Sequence, residues 1–291
     1  MSESGVLETA STGSRPVFHG VRLLKAVVLD WAGTTQDFGS QAPVGAFIEV
    51  FRRFGVAITA KQARGPMGLY KLDHIRALAA DPFIARDWVR VLMRPIDEDD
   101  IQDMYRALVP IQEDILPEFG ALIPGTIDAV AAIRARGYKI GSTTGYPRSA
   151  GLITAAAARK QGYEPDVIVC ADEVPAGRPE PWMLLRALES MRVYPPAATV
   201  KVGDTKADIG EGLNAGAWTV GISRTGNYVG LSEDELAALP EDEQRRLVDA
   251  AAETLRSAGA HFVIQSIAEL PSILDEIEFR MARGDRPEAG I

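Results

Sequence analysis

The chain has 291 residues, 46% hydrophobic and 24% charged, with 31 Lys plus Arg against 40 Asp plus Glu and a net charge of −9. That is an ordinary globular composition, long enough for a full core, and its acidity argues against binding a nucleic-acid backbone. A single cysteine, Cys170, and three scattered histidines, His19, His74 and His261, exclude an intramolecular disulfide and a Cys- or His-rich metal centre. Any metal is therefore expected on oxygen ligands, which favours magnesium or calcium. No apolar run reaches the length of a membrane span, and the polar start, residues 1–20, has neither the cationic nor the apolar region of a signal peptide. A frayed tail and a cytoplasmic protein are expected.

The first strand is predicted at Lys25–Asp30, a β-branched apolar run ending on an acid. Further strands are predicted at Tyr138–Ser142, Asp166–Cys170, Ala198–Gly203, Ala217–Ile222 and His261–Gln265. Helical patterns fall between them at Thr126–Arg136, Pro147–Gln161, Pro179–Met191 and Lys206–Ala215, with Pro147 and Pro179 placed in first helical turns. Strand and helix in alternation, with strands that are continuous apolar runs, predict an α/β core: a parallel, Rossmann-like sheet covered on both faces.

One long interruption breaks the alternation. Between Asp30 and Tyr138 the patterns are helical: Ala42–Phe54, a capping box at Thr59–Gln62, Met67–Ala79, Pro82–Met93, and a helix led by the acids Asp97–Asp100. Residues 37–123 are expected to form an inserted helical cap domain, with residues 21–36 and 124–282 as the core domain. Ser232–Ala258 is expected to be one helical stretch, and 284–291 to fray.

In such sheets, ligands gather at the carboxyl ends of the strands. Polar segments follow three of them: Asp30-Trp-Ala-Gly-Thr-Thr35, Thr143-Thr-Gly-Tyr146 and Val202-Gly-Asp-Thr-Lys-Ala-Asp208. Gly177-Arg-Pro-Glu-Pro181 lies between the last two. Each piece alone has a plain explanation. Asp30, Asp204 and Asp208 suit caps or turns, Thr144 a turn, and Arg178 a solvated charge. Together they form an ordered set of acid, hydroxyl, cation and acid pair, which chance explains poorly.

This set resembles the haloacid dehalogenase-like hydrolases, a superfamily of phosphoryl-transfer enzymes, over about residues 25–225. The resemblance implies Asp30 as the nucleophile on phosphorus and Thr144 and Arg178 as holders of the phosphoryl oxygens. It also implies a Mg²⁺ site on Asp30, the Ala32 carbonyl, Asp204 and Asp208. A carboxylate attacks phosphorus only where cations offset the repulsion of two anions. Phosphatases of this superfamily usually carry a second Asp two residues after the nucleophile, to protonate the leaving alkoxide. Here that residue is Ala32.

The cap segment Gly65-Pro-Met-Gly-Leu-Tyr-Lys-Leu-Asp-His-Ile-Arg76 offers another kind of leaving group. Met67, Lys71 and His74 fall at i, i+4 and i+7, one face of a helix. The plain reading is a solvated Lys with a His nearby. The chemical one is an amine that condenses with a carbonyl once desolvation lowers its pKa, with His74 shuttling protons. With this segment the chain looks like the phosphonoacetaldehyde hydrolases, or phosphonatases. That resemblance implies cleavage of phosphonoacetaldehyde to acetaldehyde and phosphate through a Schiff base on Lys71. It implies Met67, Gly145 and Tyr146 around the substrate, and a homodimer. Met104, Tyr105, Leu108 and Ile111 form an apolar stripe available for pairing, or for the cap's own core. The alternatives are a Mg²⁺-dependent phosphatase or phosphomutase of the superfamily, and a non-catalytic ligand-binding relative. Trp31, Trp88, Trp182 and Trp218 are expected to pack, Cys170 to be a buried hydrophobe, and His19 and His261 to be uninvolved.

Overall fold

The computed structural model describes residues 20–287. Residues 1–19 of the expected tail, His19 among them, and residues 288–291 lie outside the described residues. In chain order the elements are β1 (Ala26–Leu29), α1 (Gln41–Arg53), α2 (Ala60–Arg64), α3 (Lys71–Ala79), α4 (Pro82–Leu92), α5 (Glu98–Ile115) and α6 (Thr126–Ala135). There follow β2 (Lys139–Thr144), α7 (Arg148–Lys160), β3 (Val167–Cys170), α8 (Trp182–Met191), β4 (Thr199–Gly203) and α9 (Lys206–Ala215). The chain closes with β5 (Trp218–Ile222), α10 (Glu233–Ala237), α11 (Glu241–Ser257), β6 (Phe262–Ile264) and α12 (Leu270–Ala282).

The six strands form one sheet in the order β3-β2-β1-β4-β5-β6, every pair parallel. Val27, Leu29, Ile140, Val200, Val202, Val220 and Ile222 face one layer of core. Ala26, Val28 and Val169 meet Met183, Leu184, Ala187 and Leu188 on the other face. Burial on both faces explains why these strands read as unbroken apolar runs. Because β1 lies between β2 and β4, their carboxyl ends converge at the point where the strand order reverses, the usual place for a ligand in such sheets.

Helices α1 to α5 bury an apolar cluster of their own, built on Phe47, Phe51, Ile75, Leu78, Trp88, Met104 and Leu108. Thr59 caps α2 through a capping box with Gln62, and Asp97 caps α5 with Asp100. No helix among the described residues is long and apolar enough to cross a membrane.

Several expectations change. The stretch 232–258 is two helices, because Pro240 stands at the start of α11 and cannot continue α10. Pro147 is the N-cap of α7 rather than its first residue, and Pro181, not Pro179, immediately precedes α8. Trp182, at the outward start of α8, is 46% exposed and does not pack as the other three tryptophans do. Met104, Leu108 and Ile111 are buried inside the insertion's own core. Tyr105 is bound through its hydroxyl to that of Tyr70 at 3.0 Å, so the stripe offers no free face for pairing.

Candidate active site

Asp30 follows β1 and its main-chain N–H donates to the Val202 carbonyl at 3.0 Å, which ties the turn after β1 to the end of β4. Thr144 ends β2, and its Oγ1 accepts the Tyr146 N–H at 3.2 Å, closing a short polar turn. Asp204 directly follows β4, and Thr205 caps α9 through a capping box with Asp208. One cleft is lined by Asp30, Ala32, Met67, Lys71, Thr144, Gly145, Tyr146, Arg178 and Asp204, with Ser40, Pro43, Gly68 and Thr205 completing its wall. Thus all but two of the residues singled out in the sequence line a single narrow space. The two exceptions, His74 and Asp208, stand behind it.

Lys71 reaches the cleft by a route other than the expected one. Helix α3 begins at Lys71 itself, and Met67 lies in the turn before it, so the three residues share no helical face. Gly68, at φ 92°, takes a left-handed backbone that stops the helix from extending backwards. The turn compensates by bringing chain segments very close. A Cβ on Gly145 would lie 2.6 Å from the Leu69 carbonyl oxygen, and one on Gly68 would collide with Thr205 Oγ1. The insertion therefore rests directly on the loops after β2 and β4, and Met67 still reaches the cleft.

Lys71 is 3% exposed, with Nζ 4.8 Å from the Tyr146 ring centre and 5.6 Å from that of Phe47. Burial pulls its pKa down to about 8, against the opposing attraction of Asp30. His74 is buried and stacked on Phe47 at 3.7 Å between ring centres, and its Nε2 sits 2.9 Å from the Ala63 carbonyl. That carbonyl can only accept, so Nε2 carries the proton and Nδ1 keeps its lone pair. Burial and then the Lys71 charge hold the imidazole well below its ordinary pKa, which makes it neutral.

Arg178 is enclosed by anions. Its guanidinium meets Asp30 Oδ1 at 2.9 Å, Asp208 Oδ1 at 3.0 Å and Glu211 Oε2 at 2.9 Å, and it donates to the Thr143 carbonyl at 2.7 Å. Burial opposes the charge, but Asp208, Asp30 and Glu211 raise the pKa above the ordinary arginine value. A second buried cation stands beside it: Lys201 Nζ lies 2.8 Å from Asp208 Oδ1, 3.2 Å from Glu211 Oε2 and 3.0 Å from Thr143 Oγ1.

Lys201, Glu211 and Thr143 were not anticipated. The available signal was a lone lysine inside the apolar run Thr199–Gly203, which in a strand buried on both faces must carry its own anion.

The acids divide by environment. Asp30, Asp204 and Asp208 each place an oxygen within 4.8 Å of the others, an arrangement able to surround a metal ion. Burial, then the Asp208 charge, raise the pKa of Asp30. Burial, then Asp30 and Asp208, lift Asp204 well above the carboxylate range. Asp208 is also penalised by burial, but Arg178 and Lys201 outweigh it and lower its pKa. Its Oδ1 is shared by those two cations and its Oδ2 accepts from Thr205 Oγ1 at 2.5 Å. Asp30 and Asp204 are consequently the better exposed to an incoming ion, with Asp208 holding the cations behind them.

The family model described as haloacid dehalogenase-like hydrolase matches residues 24–216. A phosphonoacetaldehyde hydrolase-like protein of Syntrophobacter fumaroxidans is 47% identical over 264 residues, 91% of this chain and 95% of that protein. The phosphonoacetaldehyde hydrolase of Bacillus cereus is 46% identical over 255 residues, 88% of this chain and 97% of the relative. The chain belongs to the phosphonoacetaldehyde hydrolase family of haloacid dehalogenase-like hydrolases. The crystal structure of a family-like protein from Oleispira antarctica superposes with a TM-score of 0.90 at 39% identity, covering 99% of this chain and 100% of that one.

Proposed function

We propose that the protein hydrolyses the carbon–phosphorus bond of phosphonoacetaldehyde to acetaldehyde and phosphate. The observation that carries the reading is the desolvated amine of Lys71 in the same cleft as Asp30 and Arg178, where Ala32 provides no acid for a leaving alkoxide. The names of the relatives agree with it.

The free amine of Lys71 adds to the aldehyde and loses water to give an imine, protonated on nitrogen. An Asp30 oxygen attacks phosphorus in line. The C–P electron pair moves into the adjacent carbon–carbon bond, and the iminium π electrons return to nitrogen, so an enamine leaves in place of a bare carbanion. Protonation at carbon and hydrolysis of the iminium release acetaldehyde and regenerate Lys71. A second water hydrolyses the aspartyl-phosphate, so one water is consumed overall. No alkoxide forms, so the alanine at position 32 costs nothing.

Neutral His74, one helical turn from Lys71, is suited to carry protons in the imine steps. Arg178 and Thr144 would hold the phosphonate oxygens, and Met67, Gly145 and Tyr146 enclose the aldehyde end. Mutual repulsion among buried carboxylates and an all-oxygen donor set fit a hard divalent cation, Mg²⁺, held by Asp30, Asp204 and the Ala32 carbonyl. When bound, it would offset the negative charge that accumulates as one anion approaches another.

The test is acetaldehyde release from phosphonoacetaldehyde with Mg²⁺, followed through a coupled alcohol dehydrogenase. Release that requires Lys71 supports the reading. Turnover of sugar phosphates that survives Lys71→Ala would replace it with a phosphatase or phosphomutase.

A further inference from the structure

Apart from the residues that the proposed reaction uses, one arrangement joins the helical insertion to Asp204. It runs through the loop after β5, residues 223–230. The main-chain N–H of Asn227 donates to Asp204 Oδ2 at 2.7 Å. The side chain of the same residue faces the insertion: Nδ2 donates to the Arg64 carbonyl at 3.1 Å, and Oδ1 accepts from Arg64 Nη1 at 3.2 Å. Arg64 is the last residue of α2. Its guanidinium also donates to the carbonyls of Gly39 at 2.8 Å and Gly230 at 2.9 Å, and to Gln41 Oε1 at 3.2 Å.

The loop is pinned from the nucleophile side as well. Thr225 Oγ1 donates to the Gly33 carbonyl at 2.8 Å, and Gly39 N–H donates to the Thr225 carbonyl at 2.8 Å. Asn227 is thus fully buried with two attachments of different kinds, its main chain on a carboxylate and its side chain on the insertion.

We propose that Arg64 and Asn227 form a clasp that orients the Asp204 carboxylate when the insertion lies closed on the core, which makes both of them positioning residues for the cation site. This rests on the reading of Asp204 as a cation ligand. The hydrogen bond at Oδ2 fixes the rotation of the carboxyl group and leaves Oδ1 to be offered. A guanidinium suits the task because its planar fork holds several acceptors in fixed directions at once, which an ammonium does not. Because the clasp spans two parts of the chain, closure and cation binding must favour each other by the same factor. Simple adhesion between the two parts would show no such reciprocity.

The experiment measures Mg²⁺ affinity by calorimetry for wild type, Asn227→Ala, Arg64→Met and the double variant. Hydrogen exchange of residues 59–70, with and without Mg²⁺, is measured on the same proteins. Each single change is expected to weaken Mg²⁺ binding by about tenfold, as for other partners that orient a metal ligand. The double variant should be no weaker than the weaker single. Mg²⁺ should slow exchange of residues 59–70 in wild type and in neither variant. Arg64→Lys, which keeps the charge but not the fork, should fall between wild type and Arg64→Met, and serves if the methionine variant does not fold.

Wild-type Mg²⁺ affinity in the singles, effects that multiply in the double, or exchange in wild type indifferent to Mg²⁺ would each overturn the clasp. Asp204→Asn separates the two levels: undiminished Mg²⁺ affinity there overturns the ligand assignment and the clasp with it. Lost affinity there, alongside intact affinity in the clasp variants, overturns the clasp alone.

Discussion

Lys71 Nζ sits 4.8 Å from the centre of the Tyr146 ring, and both side chains are almost wholly withdrawn from solvent. The ring face offers the ammonium a weak electrostatic partner but no proton acceptor. The amine is therefore held in a place that tolerates its charge without strongly favouring it. Asp30, the anion that acts on it most strongly, offsets only part of the burial cost.

The pH dependence of turnover follows from that balance. In the proposed reaction the free amine is the reactive form, and its population grows tenfold per unit until the pH reaches about 8. The expected kcat/KM profile climbs to an inflection near that value and then levels. A rising limb centred above pH 10 would mean that Lys71 is solvated in the working enzyme. Stability should respond with a definite sign. The folded pKa lies below the ordinary 10.5, so between about 8 and 10.5 the unfolded chain binds more protons, and this group's contribution to stability rises with pH. Lys71→Met should accordingly be more stable than wild type at pH 7, by at most about 3 kcal/mol, with the gap shrinking toward pH 10.5. Urea unfolding at pH 7 and 9.5 checks it.

Removing the amine should also remove chemistry. Lys71→Ala is expected to lower kcat/KM by at least about 10³-fold with the fold intact. Borohydride added during turnover should attach the two-carbon unit to wild type at Lys71 and leave the alanine variant unmodified by mass spectrometry. Labelling elsewhere, with full activity in Lys71→Ala, would contradict the imine route.

Asp30→Asn keeps the size of the side chain and removes its nucleophilic charge. Turnover should fall by about 10³-fold or more, while imine trapping at Lys71 persists, because that step precedes attack on phosphorus. Retained phosphate release would remove Asp30 from the nucleophile role.

The close approach at Gly145 makes a steric prediction. A methyl group there would stand 2.6 Å from the Leu69 carbonyl, two residues before Lys71, and main chain yields only by moving the segment. Gly145→Ala should cost about 1–3 kcal/mol by thermal melting. It should depress turnover more than that loss of stability explains, since a displacement of about 1 Å of a reacting group costs on the order of 10²-fold. Unchanged turnover would show that Lys71 is placed independently of that contact.

The strands and the residues at their carboxyl ends could be read from the sequence because both follow local rules. An apolar run forms a strand buried on two faces, and a polar residue ending it must turn toward solvent or a ligand. Asp30, Thr144 and Asp204 are all placed by that logic. Met67, Lys71 and His74 expose its limit. Their spacing matches a helix, but Gly65, Pro66 and Gly68 interrupt it, and what brings Met67 and Lys71 to the same cleft is the contact of their turn with the loops after β2 and β4. The stripe on α5 fails for a related reason. Periodicity marks an apolar face without naming its partner, and α1 and α3 supply that partner within the chain.

Lys201 is the sharpest case of a residue whose role only three-dimensional packing reveals, and it makes the most severe stability prediction. Its ammonium is fully buried against Asp208, Glu211 and Thr143, and Arg178 shares both acids. Lys201→Met fits the space but leaves two buried carboxylates facing one guanidinium. Breaking a buried pair from one side costs about 3–5 kcal/mol, so the variant should unfold at markedly lower denaturant. Glu211→Gln, which removes the one excess negative charge, should restore part of the loss when combined with Lys201→Met. On a wild-type background the same change should destabilise, because Glu211 supports both cations. A double variant as unstable as the sum of the two singles would show that the four groups act independently, and that Arg178 does not depend on Lys201 for its place beside Asp30.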